Sequence, residues 1–373
     1  MEKQEVIQLI SALSDLYGAP GFEQEVSYFI ADWVKNHDLG KSDKDAMHNL
    51  YVEKKTNKVG LDEARPRLNE GGRVRVQLDA HMDEVAFMVR AILPNGTLRI
   101  VPLGGWVSSN IPAHTVKIRT NTGKYISGLT ASKPPHFMTD EEKMKAVSVD
   151  EIVVDVGVSS RQEAIDLGIE VGAPIVPEVS SCYNEELDVI RGKAFDCRSG
   201  CAAILDTFTQ LKDEELECDV IAAFSTQEEV GVRGATVTSQ RVKPDLAIVF
   251  EGCPADDTFG DPELSQTKLH QGPMLRHVDA RMITHPGFQK YALDLAQEQQ
   301  IPVQRAVRTG GSTNGAPIHL TERAVPTIVI GLPVRYIHTH YGYASYFDHQ
   351  AAVKLAVSIL KSMNYKTYQQ IVK

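Results

Sequence analysis

The sequence predicts an α/β protein with a mostly parallel central sheet, helices on both faces and a small β-rich domain inserted into it. Three observations carry this. Apolar strand runs alternate with helix-period patterns in residues 1–85 and again in 177–373, as in a parallel sheet covered on both sides. Between residues 86 and 176 the rhythm gives way to short β-like runs separated by Gly, Pro, Asn and Asp. The length, 373 residues, accommodates about two domains at roughly 150 residues each.

The elements follow in order. Val6, Leu9, Ile10, Leu13 and Tyr17 recur at helical spacing, and Gly18 and Pro20 end that helix. Val26, Phe29, Ile30 and Val34 share the face of a second one. Val74, Val76 and Leu78 alternate with Arg73, Arg75 and Gln77, which reads as a strand running into Asp79-Ala80-His81-Met82-Asp83-Glu84. The runs AFMVRAI, GTLRIVPL, HTVKIRT, GKYISGLT and EIVVDVG make the inserted β domain. Beyond it come a helix from Ser199 to Leu211 and strands at Asp219–Thr226 and Leu246–Phe250. A helix at Pro286–Gln300, a strand at Pro326–Leu332 and a closing helix from His349 to Met363 complete the chain.

Composition excludes several classes. Hydrophobic residues are 42% and charged residues 24%, ordinary for a globular chain. Lys+Arg 39 against Asp+Glu 49 gives a net charge of −10, which disfavours nucleic acid and anionic membranes as partners. The five cysteines form no CxxC pair and read as free thiols in a reducing compartment. The N-terminus lacks a secretory pattern, and no apolar run approaches about 18 residues, so a cytoplasmic protein is expected. No phosphate-binding glycine loop follows a strand and no GxSxG is present, which disfavours nucleotide binding and a serine nucleophile.

Five segments bring His, Asp or Glu to strand ends or turns, where open α/β sheets build their sites: His81-x-Asp83, Asp196, Glu228-Glu229, Glu251 and His338. Each alone reads more simply as a solvated pair or a helix cap. Together, two imidazoles and three carboxylates suit a pair of divalent ions such as Zn²⁺, Co²⁺ or Mn²⁺. One carboxylate must then bridge, and a further acid that is not a ligand must move a proton; Glu228 is available for that. Asp83, two residues after His81, is placed to accept the imidazole N–H and fix its tautomer.

The runs LDAHMDEV, KAFDCRSG, STQEEVGVRGA and VRYIHTH resemble those of the tetrahedral (TET-type) dimetal aminopeptidases, the glutamyl and deblocking enzymes whose members are often labelled endoglucanases. GGW at Gly104–Trp106, SKPPHFMTDEE and GGSTNGAPIH extend the resemblance over nearly the whole chain. The resemblance implies a phosphorylase/hydrolase-like catalytic domain with an inserted β domain (86–176) used in oligomer assembly, and two divalent metal ions per subunit. It makes His81 and Glu251 ligands of one ion, Glu229 and His338 ligands of the other, Asp196 the bridge, Glu228 the general base and acid, and Asp83 the residue that orients His81. The implied activity is hydrolysis of the N-terminal bond of peptides by a hydroxide shared between the ions. The implied assembly is a homo-oligomer, with tetrahedral dodecamers the family's common form.

Three positions depart from the family pattern: Cys197 after the bridging Asp, Thr313 where an Asp is frequent, and His340 two residues after His338. Thr313 and Arg335 are candidate substrate contacts, with loop-holding the alternative for Arg335. A basic side chain in the pocket would favour an N-terminal Glu or Asp, and Arg308 and Arg335 are the candidates for it. Two other functions stay open. A glycoside hydrolase would need two carboxylates flanking the scissile bond, and the expected ligands consume most of the acids. A non-catalytic peptide-binding protein would use the same fold without turnover.

Overall fold

The computed structural model describes residues 1–64, 66, 68 and 71–373. Its core is an eight-stranded sheet in the order Gly40–Lys44, Leu50–Lys54, Cys218–Ser225, Val74–His81, Leu246–Pro254, Thr327–Val334, Met274–Val278 and Gln304–Val307. The four middle strands are mutually parallel, and antiparallel pairings appear only toward the edges. The expected mostly parallel sheet is thus concentrated where the sheet is covered on both sides. Helices Lys3–Asp15, Phe195–Gln210, Pro286–Glu298 and Tyr346–Ser362 share the main hydrophobic core on one face. Helices Arg233–Val242 and Gly315–Ile318 close the other.

The alternation in Val74–His81 suggests one wet face, yet all eight residues are buried. Arg75 is tolerated there because its guanidinium donates to the carbonyls of Gly60, Leu61 and Val242, which satisfies a buried cation locally. Gln77 likewise donates to Asp79 and Thr238.

The inserted region closes into a six-stranded antiparallel barrel: Ala86–Ile92, Leu98–Leu103, Val153–Asp155, Tyr125–Ala131, Thr115–Arg119 and Pro174–Pro177. Five of these strands come from the five runs read in sequence. The sixth, PIVP, is short and begins and ends with proline, so no alternation marks it. The barrel has its own apolar interior around Phe87, Ile100, Val116, Ile118, Val154 and Ile175. Closure leaves no long unpaired edge.

Candidate metal centre

Four segments converge at the C-terminal ends of the central parallel strands, and His338 joins them from the loop after Thr327–Val334. His81 is the last residue of its strand, paired in register with Ser225 of the neighbouring one. Glu251 sits further along the adjacent strand, opposite Gly331. Asp196 opens the helix Phe195–Gln210, where it and Cys197 depart from helical dihedrals and the peptide between them is cis. Gly252 lets that turn descend onto the sheet: a Cβ there would lie 2.7 Å from Asp196 Cα. The turns delivering Asp196, Glu228 and His338 each contain a non-glycine residue at positive φ, namely Ala194, Gln227, Tyr336 and His338 itself. Such backbone is held only where the surroundings enforce it, and it concentrates at functional sites.

Asp196 lies at the centre. Its Oδ1 is 3.1 Å from His81 Nε2, and its Oδ2 is 3.3 Å from His338 Nε2. Glu251 Oε1 stands 3.5 Å from His81 Nε2, and Glu229 Oε2 stands 3.4 Å from His338 Nε2. Two groups of candidate ligands therefore share one carboxylate. Glu229 Oε1 and Glu251 Oε2 are buried with no hydrogen-bond partner among the described residues. Buried carboxylate oxygens left in this way lack compensation, and a divalent cation at each position would supply it. The donor set fits the metal pair expected from the sequence. Glu228 Oε2 is further from the histidine, at 3.9 Å from His81 Nε2.

The electrostatics are those of an acid cluster. Burial opposes the charged form of His81, but Asp196, Asp83 and Glu251 outweigh it and raise its pKa well above the usual value. His338 is pushed up to about 10, its burial overcome by Asp196 and Glu229. Burial raises the carboxyl of Glu251 to about 8, with Asp196 adding to the shift. Glu228 is raised well above the carboxylate range by burial, against the pull of His81 and with Glu251, Asp196 and Asp83 assisting. Asp196 moves the other way: the two histidines overcome its burial and hold it below the usual range.

The structure redistributes several of the roles expected from the sequence. The atom of Asp83 nearest His81 Nδ1 is its backbone carbonyl at 3.1 Å, with the carboxylate at 3.4 Å. That carboxylate accepts the backbone N–H groups of Glu228 and Glu229 at 2.9 and 3.0 Å. Arg335 does not line the cavity beside the cluster: its guanidinium holds Asp257 through bonds of 2.9 and 2.6 Å, the loop-holding alternative. Thr313 is also absent from the lining; it is fully buried and accepts the N–H of Gly315. His340 does not join His338 in lining the cavity: its ring lies against Trp106 and His114. Cys197 is buried, donates to the carbonyl of Phe250 at 3.1 Å and lies near His81 and Asp196. Burial keeps it a thiol, which is a weak ligand.

The cluster opens into a cavity of about 450 Å³. Its wall carries Arg276, Arg281 and Arg308 together with Gly310-Gly311-Ser312. Of these arginines only Arg308 is a candidate from the sequence. Arg308 pairs with Asp256 at 2.8 Å and Arg276 with Asp279 at 3.1 Å. The exposed guanidinium of Arg281 meets no carboxylate among the described residues. No motif marks these arginines, since the strand Met274–Val278, the turn after it and the segment after Gln304–Val307 contribute one each. Among the described residues no helix is long and apolar enough to cross a membrane.

Comparison with known proteins agrees with this fold. Residues 67–355 match the family described as M42 glutamyl aminopeptidase. The glutamyl aminopeptidase of Lactococcus lactis subsp. cremoris is 33% identical over 98% of this chain and 99% of its own length. The crystal structure of a TET aminopeptidase from a marine sediment archaeon, Thaumarchaeota archaeon SCGC AB-539-E09, superposes with a TM-score of 0.91 at 31% identity, covering 99% of both chains. The TET1 peptidase of Pyrococcus horikoshii, which can assemble into a tetrahedron or a large octahedral shell, superposes at 0.82 with 25% identity over 97% of this chain and 100% of that one. With the family match spanning most of its length, the chain belongs to the M42 glutamyl aminopeptidase family, whose members are aminopeptidases.

Proposed function

We propose that the chain is a dimetal aminopeptidase that removes acidic N-terminal residues from peptides. The observation that supports it most is Asp196, whose two oxygens face different histidines. His81 and Glu251 would hold one divalent ion, His338 and Glu229 the other, and Asp196 both. When bound, such a pair supplies a water that ionises near neutral pH and a Lewis acid for the scissile carbonyl.

The chain's own residues supply the rest. Glu228 stands at the cavity beside the ligands without being needed as one. Burial favours its protonated form, which suits it to carry a proton between the attacking water and the leaving amine. Asp83 fixes the turn on which Glu228 rides. The acid cluster favours a free α-amino group at one end of the cavity, and Arg281 favours a carboxylate on the first side chain. The mixed apolar and polar lining of a cavity of about 450 Å³ suits one or two residues of a peptide. The barrel is the proposed assembly surface of a homo-oligomer.

The test is hydrolysis of a panel of aminoacyl-p-nitroanilides by chelator-stripped protein with Zn²⁺, Co²⁺ or Mn²⁺ added back. Metal-restored cleavage with preference for Glu or Asp supports the reading. Two ions bound with no cleavage of any member would overturn the substrate class. Peptide binding without metal uptake would favour the non-catalytic alternative.

A further inference from the structure

The two halves of the centre are built differently. His81 is fully buried and is held by Asp83 of its own turn. His338 is partly exposed, sits at a positive φ and donates from Nδ1 to the carbonyl of Gly105 at 3.0 Å. Gly105 belongs to the insertion: it follows the barrel strand Leu98–Leu103 through Gly104. Both glycines lie directly on the second ligand pair. A Cβ on Gly104 would come within 3.1 Å of Glu229 Oε2, and one on Gly105 within 3.0 Å of His338 Nδ1.

An aromatic stack fixes that turn to the barrel. Trp106 stacks on Phe87 with centroids 4.6 Å apart and donates from its indole to the carbonyl of Ala86. His340, on the loop that carries His338, lies against Trp106 at 5.0 Å and stacks nearly parallel on His114 at 4.0 Å. His340 is buried, and neither of its ring nitrogens has a hydrogen-bond partner among the described residues. The contacts that hold it to the barrel are made through the face of its ring. Both the carbonyl that orients His338 and the anchor of its loop come from the inserted barrel.

We propose that Gly105 and His340, backed by Trp106, are positioning residues that set metal affinity at the half of the centre built on His338 and Glu229, while the half built on His81 and Glu251 is independent of them. The inference rests on the dimetal reading. A carbonyl that accepts the second N–H of a ligand histidine fixes its ring and tautomer, and losing such a partner costs metal affinity. Gly105 has an ordinary backbone conformation, so alanine there perturbs the contact with His338 rather than the turn.

The experiment titrates the chelator-stripped full chain with Co²⁺, followed by equilibrium dialysis with metal analysis and by the visible absorption of bound Co²⁺. The wild-type chain should bind two ions, and His338→Ala identifies the step that belongs to its half. In Gly105→Ala and His340→Ala that step should weaken by about 10–100-fold with the other unchanged. His340→Phe, which keeps a flat ring between Trp106 and His114, should restore it. Two unchanged steps, equal weakening of both, or no recovery in His340→Phe would overturn the proposal. A wild-type chain that binds no Co²⁺ would instead overturn the dimetal reading beneath it.

Discussion

The carboxylate of Asp83 and the main chain of Glu228 are joined by a 2.9 Å hydrogen bond, and the second oxygen of Asp83 holds the next amide, that of Glu229. One side chain thus orients both the proposed proton carrier and a proposed ligand. In Asp83→Asn the amide can accept only one of these N–H groups. Turnover should fall by about 10–100-fold while two ions stay bound. Glu228→Gln should also keep its metal and lose about 10²–10⁴-fold in kcat. Paired kcat and metal measurements check both, and unchanged turnover in a fully loaded Glu228→Gln variant would remove Glu228 from its role.

Asp196 is the one side chain common to both proposed ligand groups. Asp196→Ala should therefore lose both ions, not one. Metal analysis after dialysis decides this; two ions retained per chain would refute the bridge.

Arg281 is the cavity arginine left without a carboxylate partner among the described residues. Arg281→Glu should lower kcat/KM for glutamyl-p-nitroanilide by about tenfold or more relative to the leucyl substrate, the magnitude of one charge-assisted hydrogen bond. An unchanged ratio would place acidic recognition elsewhere.

Lys193 and Glu84 form an ion pair buried beneath the site, 2.7 Å to each carboxylate oxygen. Burial pushes the Lys193 ammonium below its usual pKa, so its charge depends on Glu84. Glu84→Gln leaves that cation without its counter-ion and should cost about 3–5 kcal/mol. Urea unfolding measures it, and a loss within error would mean that Lys193 folds neutral.

Asp348 gives a pH dependence away from the centre. Burial raises its carboxyl to about 7, partly opposed by the N–H groups of His270 and Gly272. The unfolded chain releases this proton near pH 4 and the folded chain only near 7. Its contribution to stability is complete below about pH 4 and is lost as pH rises to about 7. Asp348→Asn should flatten that part of the stability–pH curve, read from urea midpoints at each pH. Identical slopes in both proteins would exclude a shift at Asp348.

The central strands are legible because burial imposes a period that residue types record: Leu246–Pro254 and Thr327–Val334 read as apolar runs, and both lie in the covered middle of the sheet. The edge strand Gly40–Lys44 is not, since GKSDK is largely exposed and carries no apolar alternation. The barrel strand Pro174–Pro177 is hidden for the opposite reason: all four residues are buried, but so short a run has no readable period.

At the centre, the sequence by itself determined which residue types were available: two histidines and a set of carboxylates at strand ends, and a turn of two glycines before Trp106. Local chemistry and chain order suffice for that. Only the tertiary structure decided which atom of Asp83 faces His81, that Arg335 serves Asp257, that Arg281 reaches the cavity, and that His340 faces the barrel. These outcomes depend on directions between segments distant in sequence. Such directions follow from sheet register and from a few backbone residues at positive φ, which one-dimensional spacing does not encode.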